Sequence, residues 1–260
     1  MKIPFLRVLR FYSLLCGGCL LLGAQAESNS KGLHQRGTSH LFQVSTLDAL
    51  TLGLYQGIYS IGALKQQGDF GLGTFEGIDG EMTILNGHFY HFHSDGTLTE
   101  EPDRSQVPFA VITKFHPEVR FAATGVSMDQ LGQQIDKYLA STNLFYAIRI
   151  HGQFSELTTR AIPKLFPPYP PLSEAIAEEI KFPLQNIVGT MVVFRCPAWV
   201  QGINQVGYHY HFLSDDQTVG GHALSFTTGA VIVEVQRLQQ NSIWLPDKGP
   251  FLRAPLPVTQ

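Results

Sequence analysis

The chain contains few cysteines and few charged residues, and both shortages limit what it can be. Only three of its 260 residues are cysteines. Cys16 and Cys19 lie in an N-terminal segment that we predict is removed, so the mature chain keeps only Cys196. This excludes an intrachain disulfide framework. A hydrophobic core must therefore stabilise the fold.

Basic residues are also scarce. The 18 lysines and arginines are outnumbered by 21 acidic residues, and the formal net charge is −3. Loss of Lys2, Arg7 and Arg10 with the N-terminal segment takes this charge to −6. An acidic chain lacks the basic surface that nucleic-acid binding needs, so we expect no nucleic-acid partner. An anionic substrate would need a specific arginine, since the overall field does not attract it.

Residues 1–26 are predicted to be a signal peptide. Three basic residues precede a short apolar core at residues 11–23, and residues 24–26 read Ala-Gln-Ala, the small-x-small cleavage pattern. The apolar core is too short to span a bilayer comfortably, and no later segment reaches spanning length. We expect an exported protein, periplasmic or secreted, with no stable membrane insertion after cleavage. An uncleaved anchor is the alternative.

The rest of the chain is predicted to be strand-rich. Residues 27–40 form a polar lead-in, residues 41–162 an N-terminal α+β domain, and residues 163–260 a C-terminal metal-binding β-rich domain with an irregular tail. Five prolines within residues 163–171 mark the connector. Residues 45–48 and 127–130 show helix-capping patterns. Together these features predict an α+β fold of two domains, with mixed, mainly antiparallel sheets and a few flanking helices.

Three histidines in the C-terminal half carry the chemistry. His209 and His211 alternate with aromatic residues, so both face one side of a predicted strand. Turn residues and a Gly-Gly pair follow, and a hairpin return would bring His222 to the same face. Three neutral imidazoles on a divalent ion leave a coordination position open, as in catalytic sites. The alternative for each histidine is a hydrogen-bonded structural residue.

A second pair, His91 and His93, lies in a similar aromatic run. No third histidine follows its Asp-Gly turn. We therefore predict that this pair occupies the solvated face of a hairpin strand and binds no metal.

Five sequence blocks, in this order along the chain, resemble bacterial α-acetolactate decarboxylases. The resemblance extends from residue 41 to residue 235. The blocks are Gly-Asp-Phe-Gly-Leu-Gly-Thr-Phe at 68–75, Asp-Gly-Glu at 79–81, Phe-Tyr-Ala-Ile-Arg at 145–149, Pro-Tyr-Pro-Pro-Leu at 168–172 and the histidine run at 208–222.

The resemblance implies one Zn²⁺ ion per chain on the three C-terminal histidines. It also implies catalytic roles for Glu81 and Arg160, and substrate binding by Thr74 and Arg160. The implied reaction converts a small 2-hydroxy-3-oxo acid, α-acetolactate (2-hydroxy-2-methyl-3-oxobutanoate), to acetoin and carbon dioxide, in acetoin and butanediol formation. A homodimer stays open.

One departure from the family pattern concerns the tail. Members usually carry another active-site glutamate there, whereas residues 235–260 contain none. The missing glutamate keeps one alternative open, a non-catalytic metal-binding protein of the cell envelope. A second alternative is a zinc hydrolase, in which three histidines hold a metal that activates water and a glutamate serves as base. Acetoin formation from acetolactate separates the decarboxylase hypothesis from both alternatives.

Overall fold

The computed structural model describes residues 39–256, and these belong to one compact unit. The predicted signal peptide and nearly all of the lead-in lie outside the described residues. No helix within 39–256 has the length and apolar character needed to cross a membrane.

The strands are β1 His40–Val44, β2 Tyr59–Ser60, β3 Phe70–Phe75, β4 Asp79–Leu85, β5 His88–Phe92, β6 Leu98–Glu100, β7 Gln106–Val107, β8 Phe109–Thr113, β9 Val119–Thr124, β10 Phe145–Ala161, β11 Ile180–Cys196, β12 Gly207–Ser214, β13 Gly220–Leu238 and β14 Gln240–Trp244. The α-helices are α1 Leu47–Thr51, α2 Ile61–Leu64, α3 Met128–Asp136 and α4 Leu172–Ala177, and short 3₁₀ turns lie at Ala198–Val200 and Pro250–Arg253.

The first sheet has seven strands in the order β14-β1-β8-β3-β4-β5-β6. Only its β1–β14 pairing is parallel; the other pairings are antiparallel. Strands β2 and β7 form a separate two-stranded sheet. This mixed, mainly antiparallel arrangement with few helices confirms the predicted α+β class.

The second sheet closes on itself. Its order is β10-β11-β12-β13-β9, and β10 also pairs with β13. Strand β10 runs without interruption for 17 residues. Gly152, at φ 146°, opens a series of register shifts against β13, so the strand bends without ending.

The division between the sheets does not coincide with the predicted boundary at residues 162 and 163. Strands β9 and β10, before that boundary, belong to the second sheet, whereas β14, after it, pairs with β1 in the first. The β1–β14 pairing joins residues 200 positions apart, such as His40 and Gln240. Local patterns carry no information about such partners.

Two helices begin at N-capping residues. Ser127 and Gln130 form the predicted capping box of α3. At α1 the cap is Thr46, whose side chain accepts from Ala49 N, one residue later than the sequence pattern indicated.

The two sheets meet where β4 crosses β12. Thr83 Oγ1 donates to Phe212 O at 3.4 Å, and His211 Nδ1 lies 2.8 Å from Met82 O. A buried apolar cluster fills the closed sheet and includes Leu131 of α3 and Phe212 of β12. The polar groups at this crossing are therefore held by two packed sheets.

Candidate metal centre

The hairpin of β12 and β13 brings the three predicted histidines together. His211 and His222 are direct partners in the antiparallel register, and His209 precedes His211 by two residues on the same face. Their ring centroids are 5.0, 5.0 and 5.4 Å apart. One nitrogen from each ring lies within 4.8 Å of the others. We call these residues the histidine centre.

A backbone contact sets the orientation of His211. Its Nδ1 is 2.8 Å from the carbonyl oxygen of Met82. Since a carbonyl can only accept, Nδ1 carries the proton and Nε2 keeps its lone pair. Such a backbone partner is typical of metal-binding histidines. The side chain is fully buried, so this orientation is rigid.

The histidine centre is kept neutral by its surroundings. Burial, followed by the charge of Arg160, lowers the pKa of His209 to about 3. Burial and the neighbouring histidines also hold the pKa values of His211 and His222 well below the ordinary value. His209 Nδ1 is buried and has no hydrogen-bond partner in the described part of the chain. Neutral imidazoles with free nitrogen atoms fit a divalent metal ion.

Glu81 lies beside this centre. Its Oε2 is 3.4 Å from His211 Nε2, and the residue is 6% exposed. Burial raises its pKa to about 7; Arg160 opposes that rise and Glu179 adds to it. A glutamate after an Asp-Gly turn is ordinarily solvated, but Gly80 bends the chain at φ 57° and donates its N–H to Ile162 O at 2.8 Å. The bend lies at the start of β4, and the next residue, Glu81, is buried beside the histidine centre.

Arg160 is brought to the centre by β10, where it is the register partner of His222. Its Nη1 donates to Glu179 Oε2 at 3.1 Å, and its buried Nε–H has no hydrogen-bond partner among residues 39–256. Sequence reasoning missed Glu179. It follows Glu178 after α4, and two adjacent acidic residues there are typical of a solvated helix end, so no local pattern identified it.

Thr74 is buried, and its hydroxyl donates to Gly80 O at 2.9 Å. The side chain therefore supports the bend before Glu81, and its substrate-binding role stays a prediction. Arg149 pairs with Glu234 Oε2 through Nη2 at 2.6 Å and Nε at 2.7 Å, an ion pair between β10 and β13.

The prediction of a solvated His91–His93 pair is wrong for His91, which is only 3% exposed. Strand β5 lies between β4 and β6, and the Phe75 ring stacks on the His91 imidazole at a centroid distance of 4.0 Å. Asp79, His91 and His93 offer donor atoms within 4.8 Å of one another. We call these three residues the second cluster.

Comparisons with known proteins identify the family of this chain. A family model described as alpha-acetolactate decarboxylase matches residues 41–258. An alpha-acetolactate decarboxylase from Methylococcus capsulatus is 40% identical over 217 residues, covering 83% of this chain and 84% of the relative. Another, from Klebsiella aerogenes, is 38% identical over 220 residues, covering 84% of each.

Solved structures give the same result. The crystal structure of alpha-acetolactate decarboxylase from Bacillus subtilis strain 168 superposes with a TM-score of 0.82 at 34% identity, covering 84% of this chain and 94% of that one. The fold and these relatives define an enzyme of the carboxy-lyase class. Within that class, the chain belongs to the alpha-acetolactate decarboxylase family.

Proposed function

We propose that this carboxy-lyase decarboxylates α-acetolactate with one zinc ion per chain, held by the histidine centre, and that it serves acetoin and butanediol formation. The observation that carries the zinc assignment is the convergence of three neutral imidazoles within 4.8 Å. Imidazole donors suit zinc and similar ions, whereas magnesium and calcium prefer oxygen. When bound, zinc supplies Lewis-acid stabilisation of the negative charge that develops on substrate oxygen.

Arg160 binds the substrate carboxylate in this proposal. Its guanidinium is held by Glu179 through Nη1, and the buried Nε–H is available as a donor. Paired N–H donors suit a carboxylate. The arginine orients the carbon–carbon bond that breaks as carbon dioxide leaves, and the bonding electrons pass into the neighbouring ketone. The product of this step is an enediolate.

Glu81 supplies the proton that completes the reaction. The enediolate must gain a proton at the carbon that carried the carboxylate, which gives acetoin. With its pKa raised to about 7 by burial, the Glu81 carboxyl is protonated in a substantial fraction of molecules at neutral pH. A general acid whose pKa lies near the working pH is well matched to this transfer.

The direct test is acetoin production by the purified chain from racemic acetolactate. We expect acetoin and carbon dioxide in equal amounts, loss of activity on chelation, and recovery on return of zinc. A protein that stays fully active after every metal ion is removed contradicts the zinc proposal. A zinc-loaded protein that forms no acetoin supports one of the alternatives, and ester or amide cleavage then selects the hydrolase.

Export is a separate proposal, supported by the charged start, apolar core and Ala-Gln-Ala sequence of residues 1–26. We infer that the mature chain begins at Glu27 and lies in the periplasm or outside the cell. Sequencing the N-terminus of protein from a cell fraction tests this. Glu27 on the extracytoplasmic protein is the expected result, and Met1 or Lys2 on most of the native protein refutes cleavage.

A further inference from the structure

The second cluster has a geometry that the decarboxylase reaction does not use. Asp79 begins β4, His91 lies within β5, and His93 follows that strand. Asp79 Oδ1 is 3.7 Å from His91 Nε2, and the two imidazole centroids are 3.6 Å apart. In a tetrahedral site with bonds of about 2.0–2.2 Å, donor atoms are roughly 3.3–3.6 Å apart. The donor atoms of the three residues lie within 4.8 Å of one another, so they would have to approach by up to about 1.5 Å to reach that spacing.

A carboxylate orients His91. Its Nδ1 is 2.9 Å from Glu101 Oε1, and the other oxygen of Glu101 accepts from Ser105 Oγ at 2.6 Å. With Nδ1 donating to Glu101, the lone pair of His91 lies on Nε2. A carboxylate behind a histidine is the arrangement that commonly supports metal-binding imidazoles.

The free nitrogen of His91 faces an acceptor. Its Nε2 is buried, has no hydrogen-bond partner among residues 39–256, and points to Asp79. A Cβ added to Gly80 would lie 2.9 Å from this nitrogen, so glycine keeps the approach open. A lone pair opposite a carboxylate is repulsive unless a cation lies between them. That cation is either a second proton on His91 or a metal ion.

His93 favours the metal ion. Its Nε2 bonds Thr99 Oγ1 at 2.9 Å, which leaves Nδ1 as the free donor beside His91. This nitrogen lies within 4.8 Å of the donor atoms of His91 and Asp79. A second proton on His91 would make no use of it. A metal ion would gain a third ligand.

We propose that Asp79, His91 and His93 form a second metal site that takes Zn²⁺ or a similar nitrogen-favouring divalent ion. Two imidazoles and a carboxylate match the donor preferences of zinc, cobalt and nickel. Lys164 Nζ lies 3.4 Å from Asp79 Oδ2 and opposes a cation there, while Asp79 Oδ1 faces the site. The site therefore binds more weakly than the histidine centre, and it raises the predicted occupancy above one ion per chain.

The test is a titration of Zn²⁺ into the full chain already carrying its first ion, followed by calorimetry and metal analysis. We expect a second ion per chain, with no comparable binding of Mg²⁺. His93→Ala and Asp79→Asn should each weaken this second event by about tenfold or more. Lys164→Gln should strengthen it, because a repelling charge is removed. His88→Ala is the matched control, since His88 lies on the same strand, pairs with Glu100 and is exposed.

The two metal sites are distinguished by which variant loses which ion. His222→Ala should remove the first ion and leave the second, so a failure of the proposed zinc centre does not mimic a failure here. Two results overturn the proposal. One is that no second ion binds up to about 1 mM Zn²⁺, an affinity weaker than that of almost any functional site. The other is that the second ion binds with unchanged affinity in both His93→Ala and Asp79→Asn. Circular dichroism and the melting temperature establish that each variant is folded. If a variant is unfolded, the unchanged affinity of folded Lys164→Gln would equally overturn the proposal.

Discussion

The same His-x-His pattern occurs within β12 and at the end of β5, and the structure uses the two copies differently. On β12, His211 donates to a backbone carbonyl and meets a third histidine across the hairpin. On β5, His91 bonds the carboxylate of Glu101 and meets Asp79 from the neighbouring strand. Both pairs have an inward-facing, buried histidine. The difference lies in what each strand faces, which the pattern itself does not contain.

The surrounding charges separate the two regions further. The histidine centre is bordered by Arg160 and by a glutamate whose pKa is raised to about 7 by burial. These groups can bind a carboxylate and deliver a proton. The second cluster is bordered by Glu101 and by the half-exposed Lys164. Of the two regions, only the first therefore combines a candidate metal-binding set with groups suited to decarboxylation.

Removing a ligand from the histidine centre should have the largest effect. Replacing His222 by alanine should lower turnover of acetolactate by about 10⁴-fold, since a Lewis acid contributes several kcal/mol to such a reaction. His93→Ala, the matching change in the second cluster, should leave turnover within about twofold, a change of only ~0.4 kcal/mol in the barrier. Steady-state rates with metal analysis measure both. Equal losses in the two variants would show that the regions do not differ as described.

Removing the proposed proton donor should have the second-largest effect. Glu81→Gln retains size but cannot donate a carboxyl proton, so turnover should fall by about 10²–10⁴-fold while metal is retained. Glu101→Gln is the matched change beside the second cluster and should leave turnover nearly intact. A zinc-loaded Glu81→Gln protein with the parent rate would assign proton delivery to another group.

Changing Arg160, the residue proposed to bind the substrate carboxylate, should have a smaller effect. Arg160→Lys keeps the charge but loses the planar pair of donors, and the resulting misplacement of substrate should reduce kcat/KM by about 10–100-fold. Arg149→Lys, which alters the ion pair with Glu234 away from the centre, is the control. If Arg149→Lys impairs kcat/KM as strongly as Arg160→Lys, the carboxylate is not bound where we place it.

The smallest expected effect concerns Glu179. Glu179→Gln keeps an acceptor for Arg160 but removes a negative charge that raises the pKa of Glu81. Activity that needs protonated Glu81 declines as pH rises through this pKa. A lower pKa therefore moves the decline to lower pH, by about half a unit to one unit, or ~0.7–1.4 kcal/mol. Rate–pH profiles measure the shift, and the exposed Glu178→Gln should show none. A shift to higher pH would contradict the charge effect.

Local sequence determined much of this molecule. The alternation around His209 and His211 and the Gly-Gly turn predicted the hairpin that carries the histidine centre, because strand periodicity and turn chemistry act over a few residues. The capping box at Ser127 and Gln130 is local in the same way. The resemblance to the family, and not a local pattern, identified Glu81 and Arg160 as candidates.

Tertiary structure alone decided the rest. Glu179 reaches Arg160 only because β10 and β11 pair over their whole lengths, and β14 joins β1 across most of the chain. The burial of His91 depends on β4, β6 and the Phe75 ring packed around it. Burial and charge at each of these groups come from residues distant in sequence. The pKa of Glu81, the unpartnered nitrogen of His91 and the contrast between the two histidine pairs are therefore properties of the assembled sheets.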